Sequence, residues 1–298
     1  MKKLTDIQRA NILTALVEGN SIASCTRMFG ASKVTILRLL ADAGTIAEEY
    51  HNAMVRNLPT EHVQLDEIWS FVGAKAKNVR PEIAGTGVGD CWTWVAMDAD
   101  YKLVINWIVG GRDASFGHPF VADLADRLAN RVQITTDGWG VYREAVKQAF
   151  GGEVDYATLV KEYATETPTN SRYSPSRIVS CSIAVRSGDP DPEHINTSYV
   201  ERQNLTVRMS MRRFTRLTNG FSKKIQNHKW MIALHYFHYN FCRKHMTLKT
   251  TPAVAARISD RQWTMLEFVH MLEAAESSRG GRVTDYKMAA SKRRDSAE

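Results

Sequence analysis

Apolar residues along the first forty positions recur at steps of three and four. Ile7, Ala10, Leu13, Leu16 and Val17, with Gln8, Arg9 and Asn11 between them, predict an amphipathic helix over residues 5–18. After Gly19 and Asn20, the set Ile22, Cys25, Met28 and Phe29 predicts a short helix that stops at Gly30. Ser32 stands where an N-cap belongs, and Val34, Ile36, Leu37 and Leu40 supply the stripe of a third helix. Two short helices joined by a Gly-containing turn, with a preceding helix to close the core, make a helix-turn-helix domain of residues 1–44. That plan offers Lys33, Thr35 and Arg38 to the major groove of DNA. An ordinary three-helix packing unit would carry the same pattern. Residues 45–60 read as a linker helix that ends before Pro59.

From residue 61 the period changes from helical spacing to strand spacing. VQLDEIWSFVG (63–73), CWTWVAMDAD (91–100) and KLVINWIVGG (102–111) are apolar, aromatic and β-branched runs, predicting three consecutive antiparallel strands. A helix over 118–130, a strand over 132–139 with Asp137 at its end, a helix over 141–152 and a strand over 155–163 follow. Pro168, Pro175, Pro190 and Pro192 mark 165–193 as an irregular insertion. Helices return over 199–214 and 227–245, and 256–298 reads as a C-terminal helix and basic tail. In this order the first strand can lie beside the fourth, parallel to it, with a later helix across both. The fold class is therefore α/β: a ribonuclease-H-like mixed sheet over 61–255, three antiparallel strands plus parallel strands with flanking helices, behind an all-α helix-turn-helix domain.

Composition narrows the partner. Lys and Arg outnumber Asp and Glu by 39 to 32, a net charge of +7, which favours an anionic partner, nucleic acid first. The bias is local as well as global. Residues 200–250 hold Arg202, Arg208, Arg212, Arg213, Arg216, Lys223, Lys224, Lys229, Arg243, Lys244 and Lys249 against the single acid Glu201. Asn204 and Arg208, three and seven positions past Glu201, share its helical face and could hold a DNA backbone there, as could Arg212 and Arg213. No apolar run approaches a membrane span, and the four dispersed cysteines suit neither a zinc ribbon nor a disulfide framework. A cytoplasmic setting is expected.

Three acids stand out by position: Asp66 inside an apolar strand, Asp137 at a strand end, and Glu201 near a helix start. A carboxylate in such a strand is costly unless a cation or hydrogen bonds meet it. For each, a solvated charge is the plain alternative, and Glu201 also suits a helix N-terminus. Glu67, on the opposite strand face, is open between a supporting group, a salt-bridge partner and a wet edge. His194 could support the site from seven positions before Glu201. His235, His238 and His245, set among aromatic residues, read as core or surface histidines rather than a zinc site. Trp139 could stack on a base or pack.

The stretches DEIWSFVGAKAKN (66–78), TTDGW (135–139) and YVERQNLTVRMSMRRF (199–214) resemble those of the DDE transposases of the insertion-sequence-one type, in the same order. The resemblance runs over residues 61–255. It implies that Asp66, Asp137 and Glu201 are the catalytic, metal-holding triad, with two Mg²⁺ or Mn²⁺ ions as cofactor. It further implies cleavage and strand transfer of double-stranded DNA, at element ends and at a target, by a homodimer or higher synaptic assembly. A catalytically inactive helix-turn-helix regulator and a metal-dependent nuclease that does not join ends are the alternatives. The chain departs from some relatives in having no Cys-rich zinc element ahead of the helix-turn-helix, and its 165–193 stretch is long for a minimal core.

Overall fold

The computed structural model of the chain describes residues 4–163 and 178–284. Its contacts divide these residues into two units. One, mostly helical, holds the described residues of 1–56, 69–93 and 203–298; the other, built on the sheet, holds 57–68 and 94–202.

The helical unit begins with α1 (Asp6–Val17), where Thr5 and Gln8 form a capping box, and α2 (Ile22–Phe29), capped by Ser21. Gly30 ends α2 at φ 65°, a left-handed conformation that glycine adopts without strain. Ser32 then accepts the Thr35 N–H at 3.1 Å and starts α3 (Lys33–Met54). The helix expected over 33–44 and the linker helix expected after it are thus one helix of 22 residues. Mid-helix Gly44 serves close packing: a Cβ there would stand 2.5 Å from the Trp230 Cβ. Trp230 lies on α7 (Ile225–Phe237), which a π-helical turn extends to Cys242. Tyr50 of α3 meets Phe237, Phe241 and Trp263 edge-on at 5.2 to 5.6 Å. Two further helices, α8 (Pro252–Ala255) and α9 (Met265–Ser278), complete the unit.

The stripes of α1 and α3 are covered by α9 and α7. Buried Arg9 of α1 pairs with Glu273 at 3.2 Å and Glu276 at 2.6 Å on α9. Buried His228 bridges Ser70 Oγ and Ser222 Oγ at 3.1 and 2.9 Å, and burial drives its pKa down to about 3. His235 and His238 are likewise buried core histidines, as the aromatic spacing suggests, with pKa values lowered by burial to about 3 and about 4.

The sheet has the order β3-β2-β1-β4-β5-β6. Its strands are β1 (His62–Val72), β2 (Gly89–Asp98), β3 (Val104–Gly110), β4 (Val132–Thr136), β5 (Val154–Tyr163) and β6 (Ile178–Ser187). Neighbouring β2 and β3 share the tight turn 99–103 and so run antiparallel. β4 is parallel to β1, with Val63 opposite Ile134, and β5 is parallel to β4, with Ile134 opposite Tyr156. Helices α4 (Ala114–Ala125) and α5 (Gly140–Phe150) make the crossovers on either side of β4. A helix α6 (Ser198–Ser210) follows β6. This is the ribonuclease-H-like arrangement expected from the element order.

Part of the expected irregular insertion is regular. Residues 178–187 form β6, antiparallel to β5, while 164–177 lie outside the described residues, as does the basic tail from 285. Ile178, Val179, Ile183 and Val185 of this edge strand are all exposed, so it carries no alternation for a burial pattern to reveal. No helix among the described residues is long and apolar enough to cross a membrane.

Candidate active site

Parallel pairing of β1 with β4 brings the ends of two acid-bearing segments side by side. Asp66 sits half-buried in mid-β1, and Asp137 is the first residue past β4. There Asp137 Oδ1 accepts the Trp139 N–H at 2.9 Å, closing a turn just past the strand. Glu201 lies in the first turn of α6. All three acids line one open cleft of about 590 Å³, together with Leu65, Gly138, Lys161 and Thr197.

The start of α6 is tied to β1 by one buried side chain. Gln64, two residues before Asp66 and so on its face, accepts the Tyr199 and Val200 N–H groups at 2.9 and 3.1 Å through Oε1. Its Nε2 donates to Asn196 Oδ1 at 2.6 Å. Gln64 thereby satisfies two of the free amides at the helix start and fixes the first turn that carries Glu201.

Cations already stand against these acids. Lys161 of β5 donates to Glu201 Oε1 and, at 3.1 Å, to Thr197 Oγ1, while Thr197 Oγ1 donates to Glu201 Oε1 at 2.6 Å. Arg112 Nη2 is 4.0 Å from Asp137 Oδ2. The three acidic side chains share the cleft without their carboxylate oxygens closing to within 4.8 Å of one another.

Glu67 resolves into a buried anchor. Its Oε1 accepts Arg112 Nε at 2.6 Å and its Oε2 accepts the Tyr142 hydroxyl at 2.7 Å. Burial, helped by the neighbouring Asp137 charge, raises its pKa against the pull of Tyr142 and Arg112. Fully buried Tyr142 is raised well above the ordinary phenol value by burial and by the charges of Glu67, Asp66 and Asp137. The Arg112 guanidinium also lies 4.5 Å over the Trp139 ring, and Trp139 packs on Trp94 at 5.1 Å and Tyr142 at 6.0 Å. Trp139 is therefore a packing residue beneath Arg112. Sequence reasoning missed Gln64, Arg112, Tyr142, Lys161 and Thr197. Gln64, two positions from Asp66 on the same strand face, was the one with a readable signal.

The basic residues divide. Lys33 and Arg212 are exposed; Thr35, Arg38, Arg208 and Arg213 are half-buried. Lys33, Arg212 and Arg213 line one pocket of about 380 Å³ in the helical unit, joined by Lys223 and Lys224, with no carboxylate among its lining residues. Arg213 Nη1 donates to Ser222 Oγ at 2.9 Å. Burial, then the charge of Lys33, lowers the Lys223 pKa. Thr35 lines a different pocket, with Arg9, Asp42 and Arg282. Asn204, expected on an exposed face with Glu201, is buried at 8% exposure. The buried stripe of α6 is Val200, Gln203, Asn204 and Val207, whereas apolar Leu205 and Met209 are exposed. A spacing of three shares a face only loosely, and here the helix is rotated so that Asn204 turns inward.

No protein-family model matches the chain. The insertion element iso-IS1n protein InsB of Shigella dysenteriae is 25% identical over 183 residues, 61% of this chain and 95% of that protein. Among solved structures, the chain matches a piggyBac transposase synaptic complex with hairpin DNA at a TM-score of 0.43 and 13% identity, over 98% of this chain and 76% of that one. A pre-cleavage Mos1 transpososome matches at a TM-score of 0.27 and 11% identity, over 92% and 80% of the two chains.

Proposed function

We propose that this chain, a homologue of an insertion-sequence-one protein, is the DNA transposase of an insertion element, a DDE-type polynucleotidyl transferase with Asp66, Asp137 and Glu201 as its catalytic acids. The observation that carries the reading is the shared cleft: a mid-strand acid, a strand-end acid and a helix-start acid on one open surface. Their donor set is oxygen only, which suits Mg²⁺ or Mn²⁺. With side chains 43% and 44% exposed, Asp137 and Glu201 are open to a hydrated ion. When bound, two such ions would activate a water or a 3′-hydroxyl and stabilise the leaving oxygen at phosphorus.

The chain's own residues prepare that chemistry. Gln64 holds the first turn of α6 to β1, so Glu201 and Asp66 keep their relation. Lys161 neutralises Glu201 in the resting cleft and, once released, is placed to meet a DNA phosphate. Glu67 holds Arg112 beside Asp137 for the same use. Lys33, Arg212, Arg213, Lys223 and Lys224 supply a separate phosphate-binding surface, on which the recognition of element ends by the helix-turn-helix would be registered.

The test is Mg²⁺-dependent cleavage and joining on double-stranded DNA that carries the element's terminal inverted repeats. Asp66→Asn, Asp137→Asn and Glu201→Gln should each lower both steps by about a thousandfold, roughly 4 kcal/mol of barrier, while end binding persists. Unchanged strand transfer in these variants would overturn the catalytic assignment. Wild-type binding without cutting would favour a regulator, and cutting without joining a nuclease.

A further inference from the structure

Among the described residues, three side chains bring ligand atoms within 4.8 Å of one another: His62, Asp100 and His194. They come from the first residue of β1, the turn after β2 and the short 3₁₀ turn before α6. His62 Nδ1 is 3.0 Å from Asp100 Oδ2, and the His62 and His194 rings stack at 3.8 Å with 11° between their planes. His62 lies four residues before Asp66, about 13 Å along the strand, so this cluster is not part of the carboxylate cleft.

We infer that His62, Asp100 and His194 form a second metal site, for an imidazole-preferring ion of the Zn²⁺ class, independent of the cleft reading. Two imidazoles and one carboxylate are a poor set for Mg²⁺ and a good one for Zn²⁺, Co²⁺ or Ni²⁺. The backbone that carries each ligand is held in place. Buried Asp98 accepts the Asp100 and Tyr101 N–H groups at 2.8 and 2.7 Å and fixes the turn that carries Asp100. His62 O accepts the Ala99 N–H at 2.8 Å, binding the same turn to β1. Gln133 of β4 grips the main chain of Asp191, accepting its N–H at 2.7 Å and donating to its carbonyl at 3.0 Å. Asp191 in turn caps the segment that carries His194 and has its Oδ2 3.7 Å from His194 Nε2. With side chains 35% and 44% exposed, Asp100 and His194 leave an entry path from solvent. Metal here would staple the segment leading into α6 to the start of β1.

The probe is Co²⁺ alone, titrated into untagged full-length protein without DNA and with Mg²⁺ in excess. The expected result is one Co²⁺ per chain with visible ligand-field absorption, displaced by Zn²⁺. His62→Gln and His194→Gln should each weaken binding at least about tenfold, and Asp66→Asn and Asp137→Asn should leave it unchanged. Asp100→Asn takes the place of either histidine variant that circular dichroism shows to be unfolded. No absorption, absorption that survives the histidine variants, or its loss in Asp66→Asn would overturn the site. Because the assay contains no DNA and reads no cleavage, its failure is distinct from failure of the transposase reading.

Discussion

The carboxylate cleft of the sheet unit and the basic pocket of the helical unit treat charge in opposite ways. At the cleft, Lys161 stands on Glu201 and Arg112 near Asp137, and beside it Arg112 also holds Glu67. In the pocket, Lys33, Arg212, Arg213, Lys223 and Lys224 share one lining, and burial, then the charge of Lys33, makes Lys223 more easily deprotonated. The first surface has its countercharge built in; the second has no carboxylate among its lining residues. A balanced site can be rearranged, with Lys161 exchanged for another cation, whereas an unbalanced one attracts an anion from solution.

The largest effect expected of a single side chain tests whether the cleft's balance is structural. Glu67→Ala leaves Arg112 and the buried Tyr142 hydroxyl without their acceptor, and should cost about 3 kcal/mol of stability by urea unfolding. Glu67→Gln should cost less, since an amide oxygen still accepts.

Acid should separate the two units next. The pKa values of His228, His235 and His238, all in the helical unit, are held below the unfolded value of 6.5. In that window the unfolded state binds more protons, so stability is full above pH 6.5 and falls as pH drops through it toward about 3. At pH 5 each imidazole accounts for up to about 2 kcal/mol. Hydrogen exchange should show α7 losing protection before β4 does.

A smaller effect tests the pocket. Lys33→Ala with Lys223→Ala should weaken DNA binding about tenfold and reduce the salt slope by roughly 2, without altering the cleavage rate of bound DNA. A slope equal to wild type would remove these lysines from the DNA-binding surface. Smallest of all, Lys161→Ala should tighten Mn²⁺ binding by roughly threefold, because Glu201 loses its ammonium partner, read by calorimetry on DNA-free protein.

How far these features could be read in the chain depended on distance along it. The strand around Asp66, the strand end at Asp137 and the helix start at Glu201 follow from alternation and spacing within a dozen residues. Glu67 did not, because what makes it an anchor lies far off: Arg112 is 45 positions away and Tyr142 75. Lys161 and Glu201 are 40 positions apart and meet only through the β5 and α6 placements. β6 went unread for another reason. An exposed edge strand has no buried face, and period-two reasoning detects burial rather than pairing. Gly44 is a further case, a mid-helix glycine that lets two helices touch, and its partner Trp230 lies far along the chain.

That last glycine has a geometric consequence. The helix that begins at Lys33 is still the same rigid rod where it lies against Trp230, so the two ends share one rotational phase. One residue inserted between Arg38 and Gly44 would swing Lys33, Thr35 and Arg38 by roughly 100° about the axis and advance them by roughly 1.5 Å. The compass bearing of Lys33, Thr35 and Arg38 is thus set from eleven positions along the same helix, by a glycine packed on a tryptophan.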